Sequence, residues 1–300
     1  MLVNLSEISL ESIENKDFIA RDGSFEHLGL FNSSLPNLLI FVESEKYLAL
    51  AVSKLNISAV ITTEAIAKDL PNSWGIIISQ SPKITFFKIH NWLVRHTKFY
   101  GGSFKTQIDD SANIHPTAYI APMNVLIGRH CCIGPHVVIL ENSFLKDEVV
   151  IGPNSTIGTV GLEYKRDGDQ FLKVEHIAKV ILHRGVEIQD CSSIAKGIFQ
   201  DVEIGEHTKI GSLVRVGHEV KIGCCCIIGS HSIISGSAIL EDEVWLGVST
   251  TISNGVHIGK QAKVLIGAVV INDVKQGQQV AGNFAVAKRL FFKFVHSMRR

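Results

Sequence analysis

A chain of 300 residues, 46% of them hydrophobic, can bury one large core or two modest ones, which excludes disorder as the expectation. Its 29 basic and 29 acidic residues cancel, so no net field gathers a polyanion and nucleic acid is a poor partner. The opening MLVNLSEISLES lacks the basic flank and apolar run of a secretory signal. No stretch approaches the ~18 apolar residues of a membrane span, so a cytoplasmic protein is expected.

The first hundred residues alternate two grammars. Strand-like LLIFV (38 to 42), SAVITT (58 to 63) and WGIIIS (74 to 79) are interleaved with helix-like SEKYLALAVSKL, TEAIAKDL and PKITFFKIHNWLVRHT. That alternation predicts a small α/β domain over residues 1 to 105, ending near GGSFKTQ.

A different rhythm then takes over. Aliphatic residues recur every sixth position, through Ile127, Ile133, Ile139, Leu145, Ile151 and Ile157, and again from Ile198 through Ile204, Ile210 and Val216 to Val270. Four places after each aliphatic residue of the second block stands a small or β-branched one, such as Val214, Val220, Cys226 or Ser232. Helices repeat near 3.6 and strands near 2, so a period of six fits neither. It fits a short strand and a corner, repeated three times per turn of a triangular coil. Residues eighteen apart then stack on neighbouring coils about 4.8 Å apart. Residues 106 to 272 are assigned to this β-helix, interrupted by the polar excursion LEYKRDGDQFLKVEHIAK (162 to 179), a functional-loop candidate. Residues 273 to 300 end in a basic amphipathic helix carrying Lys288, Arg289, Lys293, Arg299 and Arg300.

The run VGHEVKIGCCCIIGSHS tempts a metal or redox reading. The hexad phase argues against it. Cys226 takes a small interior position, and His218 and Cys224, six apart, lie on different faces, too far apart to share one zinc ion. Only His207, Cys225 and Glu243 stack, eighteen apart, which is not a closed site; no metal is expected. His218 has a better column: Gly236 follows eighteen residues later, where its amide could serve as an oxyanion donor beside an imidazole base. Glu219 is a possible orienting group, although adjacent strand residues point apart, which equally suits a solvated charge.

On these residues the chain resembles the UDP-3-O-acylglucosamine N-acyltransferases of the hexapeptide-repeat superfamily, over nearly its whole length. The resemblance implies a mainly β fold: a left-handed parallel β-helix with a small N-terminal α/β domain and a C-terminal helix. It implies a catalytic base at His218, within LVRVGHEVKIG, and the oxyanion amide at Gly236. LLIFVESEKYLALAV resembles the family's uridine-binding segment, which puts the uracil between Phe41 and Tyr47, with Ser44 where an asparagine is usual. Gly161 and Tyr164 match the glycine and tyrosine of the loop enclosing the nucleotide sugar. The chain departs from the family where IDRG becomes IAKG, at Ala195-Lys196, and where an Asp-Asn pair becomes Gly211-Ser212.

The implied activity is transfer of an acyl group from acyl carrier protein or coenzyme A to the amine of a UDP-linked amino sugar, in a homotrimer, with the thioester as co-substrate and no cofactor. Lys288 and Arg289 are the candidate donor-binding residues. The ending QQVAGNFAVAKRLFF equally resembles acetyl-CoA-dependent nucleotide-amino-sugar N-acetyltransferases, which stand as the alternative. A non-catalytic nucleotide-sugar-binding scaffold is the reading from outside enzymology.

Overall fold

The computed structural model describes residues 1–8, 17–31, 33–282 and 288–298. Its contacts divide the chain into two units: Met1–Ser103 with Leu162–Ile177, and Phe104–Gly161 with Ala178–Arg300.

In the first unit the expected strands form within one residue of their sequence limits, and the helices within three, the first two ending three residues early at Val52 and Ala67. Strands β1 (Phe18–Arg21), β2 (His27–Leu28), β3 (Leu38–Val42), β4 (Ile57–Thr62) and β5 (Gly75–Ile78) make a sheet in the order β1-β5-β4-β3-β2. All neighbours are parallel except β1 and β5. Helices α1 (Glu45–Val52), α2 (Glu64–Ala67) and α3 (Pro82–His96) connect or follow the strands. Strands β3 and β5 are apolar without alternation because nearly every one of their residues is buried, as expected of a parallel sheet covered on both faces.

The second unit is the expected parallel β-helix, its short strands stacking into three parallel sheets. Two-to-four-residue strands stack into sheets of eight, eight and nine, and register partners such as Ile204 and Ile222, or Val216 and Ile234, are eighteen residues apart. The aliphatic hexad positions fill the interior. The small positions pack where the wall bends, and their hydroxyls are satisfied across coils: Thr208 Oγ1 donates to Gly223 O at 2.8 Å, and Ser232 Oγ to Gly247 O at 3.2 Å. This pairing is what makes a polar residue tolerable inside the prism.

Two features of the sequence reading are corrected. Ile198 is buried but lies in no strand. Its coil runs through Leu182, Ile188 and Ile194 instead, and four extra residues after the strand Ser193–Ala195 lengthen it, so that Ser193 pairs with Arg215 twenty-two positions on. The excursion, in turn, belongs by its contacts to the N-terminal unit, so the β-helix is not one continuous segment. It forms a hairpin of β6 (Tyr164–Asp167) and β7 (Gln170–Lys173).

A polar latch ties this hairpin to α3. Asn91 Nδ2 donates to Lys173 O at 2.7 Å, and its Oδ1 accepts the Glu175 N–H at 3.0 Å. Lys88 pairs with Asp167 and Arg95 with Glu175. At the centre, His90 is fully buried, its Nε2 2.9 Å from Glu175 O and its Nδ1 2.6 Å from the Tyr100 hydroxyl. A carbonyl only accepts, so Nε2 carries the proton and Tyr100 donates to Nδ1. Burial pushes the His90 pKa down from 6.5 to about 4, against the pull of the Glu175 carbonyl.

The neutral ring is therefore part of the fold. Its contribution is complete above the unfolded value of 6.5 and is lost as the pH falls through about 4, up to roughly 3 kcal/mol. His90→Phe should flatten that segment of the profile: the stability difference between wild type and variant, followed by chemical denaturation, should shrink between pH 6.5 and 4. An unchanged difference across this window would remove His90 as the titrating group.

Candidate active site

The coil from Arg215–Val216 turns a corner at Gly217, His218 and Glu219 before the next strand begins at Lys221. His218 and Glu219 thus occupy a turn, not a strand, and the expectation that neighbours point apart does not apply. Glu219 adopts φ +58°, as do the residues at this corner position in coil after coil, among them Leu213, Cys225 and Ser237. The left-handed residue rotates the Glu219 side chain back toward its neighbour, and Glu219 Oε2 lies 3.8 Å from His218 Nδ1.

Glu219 is held from three sides. Its Oε1 accepts the amides of Phe199 at 3.0 Å and Gln200 at 3.3 Å, both in the inserted loop, and its Oε2 accepts from Ser237 Oγ at 3.3 Å. Its side chain is only 11% exposed. Burial alone would favour the neutral acid, but the imidazole and the two amides outweigh it and hold the carboxyl below its ordinary range. Nδ1 therefore faces a carboxylate, which places the ring proton on that nitrogen and leaves Nε2 the basic one.

Gly236 stacks on His218 as expected. Ser237 N–H donates to His218 O at 2.8 Å, and a Cβ built on Gly236 would sit 2.6 Å from His218 Nε2. Only glycine leaves the ring this place. Gly217 is constrained in the same way on the preceding coil, since a Cβ there would come within 2.6 Å of the Gly236 nitrogen. The amide at this corner position is often held by a side chain from the next coil: Arg129 N–H reaches Asp147 Oδ1, and Cys224 N–H reaches Asp242 Oδ1, both at 2.9 Å. Gly236 N–H has no acceptor among the described residues. A carbonyl oxygen beside His218 Nε2 would supply one.

The inserted coil adds a residue the hexad could not align. Ile194 is in register with Val216, and the Lys196 amide donates to Thr159 O at 2.8 Å, so Lys196 holds the corner position that His218 takes one coil later. Ser237 could have been found as the residue eighteen after Glu219. Lys196, Phe199 and Gln200 could not, because the insertion breaks the count.

The other expected residues are placed as follows. Phe41 lies on β3 against the rings of Phe86 and Phe87, with centroids 5.2 and 6.3 Å away, and exposed Tyr47 on α1 stacks on Phe31 at 5.7 Å. Ser44 caps α1, accepting the Lys46 N–H at 3.3 Å. Tyr164 opens β6, is exposed, and meets Phe171 edge-on at 6.5 Å. Gly161 is the last residue before the chain leaves the coils. Lys288 and Arg289 are exposed at the start of helix α4 (Lys288–Met298), while Arg299 and Arg300 lie outside the described residues. Cys226 is buried, its thiol donates to Glu241 O at 3.1 Å, and burial pushes its pKa up to about 11, which rules out a resting thiolate there. Among the described residues, no group of three or more His, Cys, Asp or Glu could hold a metal ion.

Comparison with known proteins agrees with the resemblance read from these residues. No family model matches. A UDP-3-O-acylglucosamine N-acyltransferase of Rhodopseudomonas palustris is 35% identical over 161 residues, 54% of this chain and 43% of that protein. One of Azorhizobium caulinodans is 28% identical over 65% of this chain and 64% of its own length. The chain is thus similar to UDP-3-O-acylglucosamine N-acyltransferases, while the first of these matches spans less than half the relative's length. Among solved structures, a UDP-N-acetylglucosamine acyltransferase of Francisella novicida shares 22% identity at a TM-score of 0.45, over 59% of this chain and 67% of that one.

Glu219 should act by orienting the imidazole and anchoring the inserted loop, and two variants separate these roles. Glu219→Gln keeps an oxygen for the Phe199 and Gln200 amides but removes the charge facing Nδ1; it should lower kcat about tenfold with amide exchange in 197–201 unchanged. Glu219→Ala should lower kcat further and speed that exchange. Equal exchange in both variants would separate the loop from Glu219.

Proposed function

We propose that this protein is an N-acyltransferase that moves an acyl group from a thioester to the amine of a UDP-linked amino sugar. The observation that carries the reading is the single corner where a carboxylate-backed imidazole faces an unengaged backbone amide. The relatives' names support the same chemistry.

His218 Nε2 takes a proton from the acceptor amine as its nitrogen attacks the thioester carbonyl carbon. The carbonyl oxygen, now carrying negative charge, accepts from Gly236 N–H. The carbon–sulfur bond then breaks, and the imidazolium returns its proton to the departing thiolate. Nδ1–H stays toward Glu219 throughout, which stabilises the imidazolium while it exists. The thioester is the co-substrate and no further cofactor is called for.

The acceptor reading gives the uridine to Phe41 and Tyr47, with Ser44 nearby in sequence, and the sugar to Gly161 and Tyr164. Stacking between rings fixes a base without reading much of its edge. Assembly as a homotrimer, with flat prism faces apposed, belongs to the same proposal, as does a cytoplasmic location.

His218→Ala should cut turnover about a hundredfold to ten-thousandfold, the range for loss of acid-base catalysis, with little change in Tm and with nucleotide-sugar binding retained. Cys225→Ser and Cys226→Ser should stay within about threefold of wild type on the same principle. Thiol release from the acyl donor is the measurement. An active His218→Ala protein would move the chemistry elsewhere, and UDP-sugar binding with no thiol release in wild type would leave a scaffold.

The donor is proposed to be an acyl carrier protein docking on α4. The first turn of that helix holds Lys288 and Arg289 and no acid, an arrangement the helix dipole disfavours and an acidic partner would offset. Lys288→Glu with Arg289→Glu should raise the KM for carrier-bound donor, and salt should weaken wild type more than the variant. Efficient turnover of acetyl-CoA with carrier-bound acyl groups inert would instead favour a nucleotide-amino-sugar N-acetyltransferase.

A further inference from the structure

The coils carry three arginines, and two of them sit against carboxylates: Arg129 on Asp147 at 2.7 Å and Arg184 on Glu148 at 2.5 Å. The third, Arg215, has no carboxylate partner among the described residues. Its Nη1 donates to Ser193 Oγ at 2.7 Å, and its Nη2 lies 3.5 Å from Val160 O. Both acceptors are neutral. They aim the guanidinium without discharging it, and they leave other N–H groups of the fork unused.

The position matters as much as the charge. Arg215 is half-buried on the strand that runs directly into Gly217 and His218. Ser193, which holds it, is its register partner one coil earlier, and Val160 is the residue immediately before Gly161. On the other side the register partner is exposed, apolar Ile233. The column is therefore cationic toward the start of the excursion and apolar away from it. Lys196, in the corner one coil before His218, adds a second positive charge at the same end.

We propose that Arg215 is a specificity residue that holds the diphosphate of the nucleotide-sugar acceptor. This rests on the acceptor reading above, and it adds a residue and a chemical group to it. A planar guanidinium presents paired N–H donors to two phosphate oxygens, whereas a hydroxyl and a carbonyl cannot compete for the charge. The acceptor is favoured over the donor because the cation is bonded to the residue beside Gly161, in the segment given to the nucleotide sugar, and because the opposite end of its column is apolar. Catalysis stays with His218; Arg215 sets where the acceptor lies.

The test uses the full chain and three probes: a UDP-linked amino sugar, UDP and uridine. Titration calorimetry on Arg215→Gln should show affinity for the first two reduced about tenfold to hundredfold, the usual worth of a hydrogen bond to a charged group. Uridine affinity should be unchanged. Arg215→Lys should recover some of the loss, and salt should weaken UDP binding to wild type more than to the Gln variant. In steady-state assays the KM for the acceptor should rise while that for the acyl donor stays constant. Equal UDP affinity in wild type and Arg215→Gln, with both melting alike, overturns the assignment, as does a rise confined to the donor KM. A wild-type protein that binds neither UDP nor the UDP-sugar overturns the acceptor reading itself, and the proposal with it.

Discussion

Stacking of identical positions at a fixed pitch is the constraint on which the rest of this molecule depends. Once the interior of a three-sided coil is filled by one aliphatic residue per side, every residue has neighbours only on the coil before and the coil after. Backbone pairing sets that separation at about 4.8 Å. The distance suits a hydrogen-bonded side chain or a packed methyl group, and it is too short for an imidazole facing anything larger than a hydrogen atom. At His218 the pitch therefore dictates glycine on the next coil, and the built Cβ at 2.6 Å from Nε2 measures how strictly.

The same pitch explains why the corner is polar, tightly held and still available to a substrate. Elsewhere Asp or Ser side chains close the corner amides from the following coil, as Asp147, Asp242 and Ser230 do for Arg129, Cys224 and Ser212. Glycine at 236 gives the ring its space. Its own amide stays open for a separate reason: Asn254, eighteen places on, does not close it, and it has no acceptor among the described residues. Glu219 compensates from the adjacent position by spending its own acceptors on the inserted loop and on Ser237. A buried carboxylate is costly unless it is satisfied in this way.

Much of this is legible in the sequence, because period six leaves few alternatives and an eighteen-residue step then predicts contacts. His218 over Gly236 and the interior place of Cys226 follow from counting. Counting failed where the chain gains residues. Ile198 keeps the hexad spacing to Ile204 by coincidence, since the strand before Ile204 on its own sheet centres on Ile181 and the coil passes through Ile194. That error hid Lys196 beneath His218. The Phe199 and Gln200 amides were beyond sequence reasoning for another reason: backbone donors carry no side-chain signature. Alternation does not give the orientation of Glu219, because it sits at a corner, where a left-handed residue reverses it.

The excursion shows how such a scaffold accommodates variation. Ser143 and Val180 remain register partners although 37 positions separate them, so an entire hairpin is inserted without disturbing a coil. The four-residue loop before Val202 does the same on a smaller scale. Insertions are free to differ because each begins and ends between the short strands, which keep their partners on either side of it. The base, the amide and Arg215 instead sit on consecutive coils whose spacing cannot vary. Groups needing sub-ångström placement are thus carried by the repeat, and groups that recognise a particular ligand can be carried by loops. Arg215 stands between these classes: its backbone belongs to the repeat, and its guanidinium is aimed by the carbonyl at the point where the loop departs.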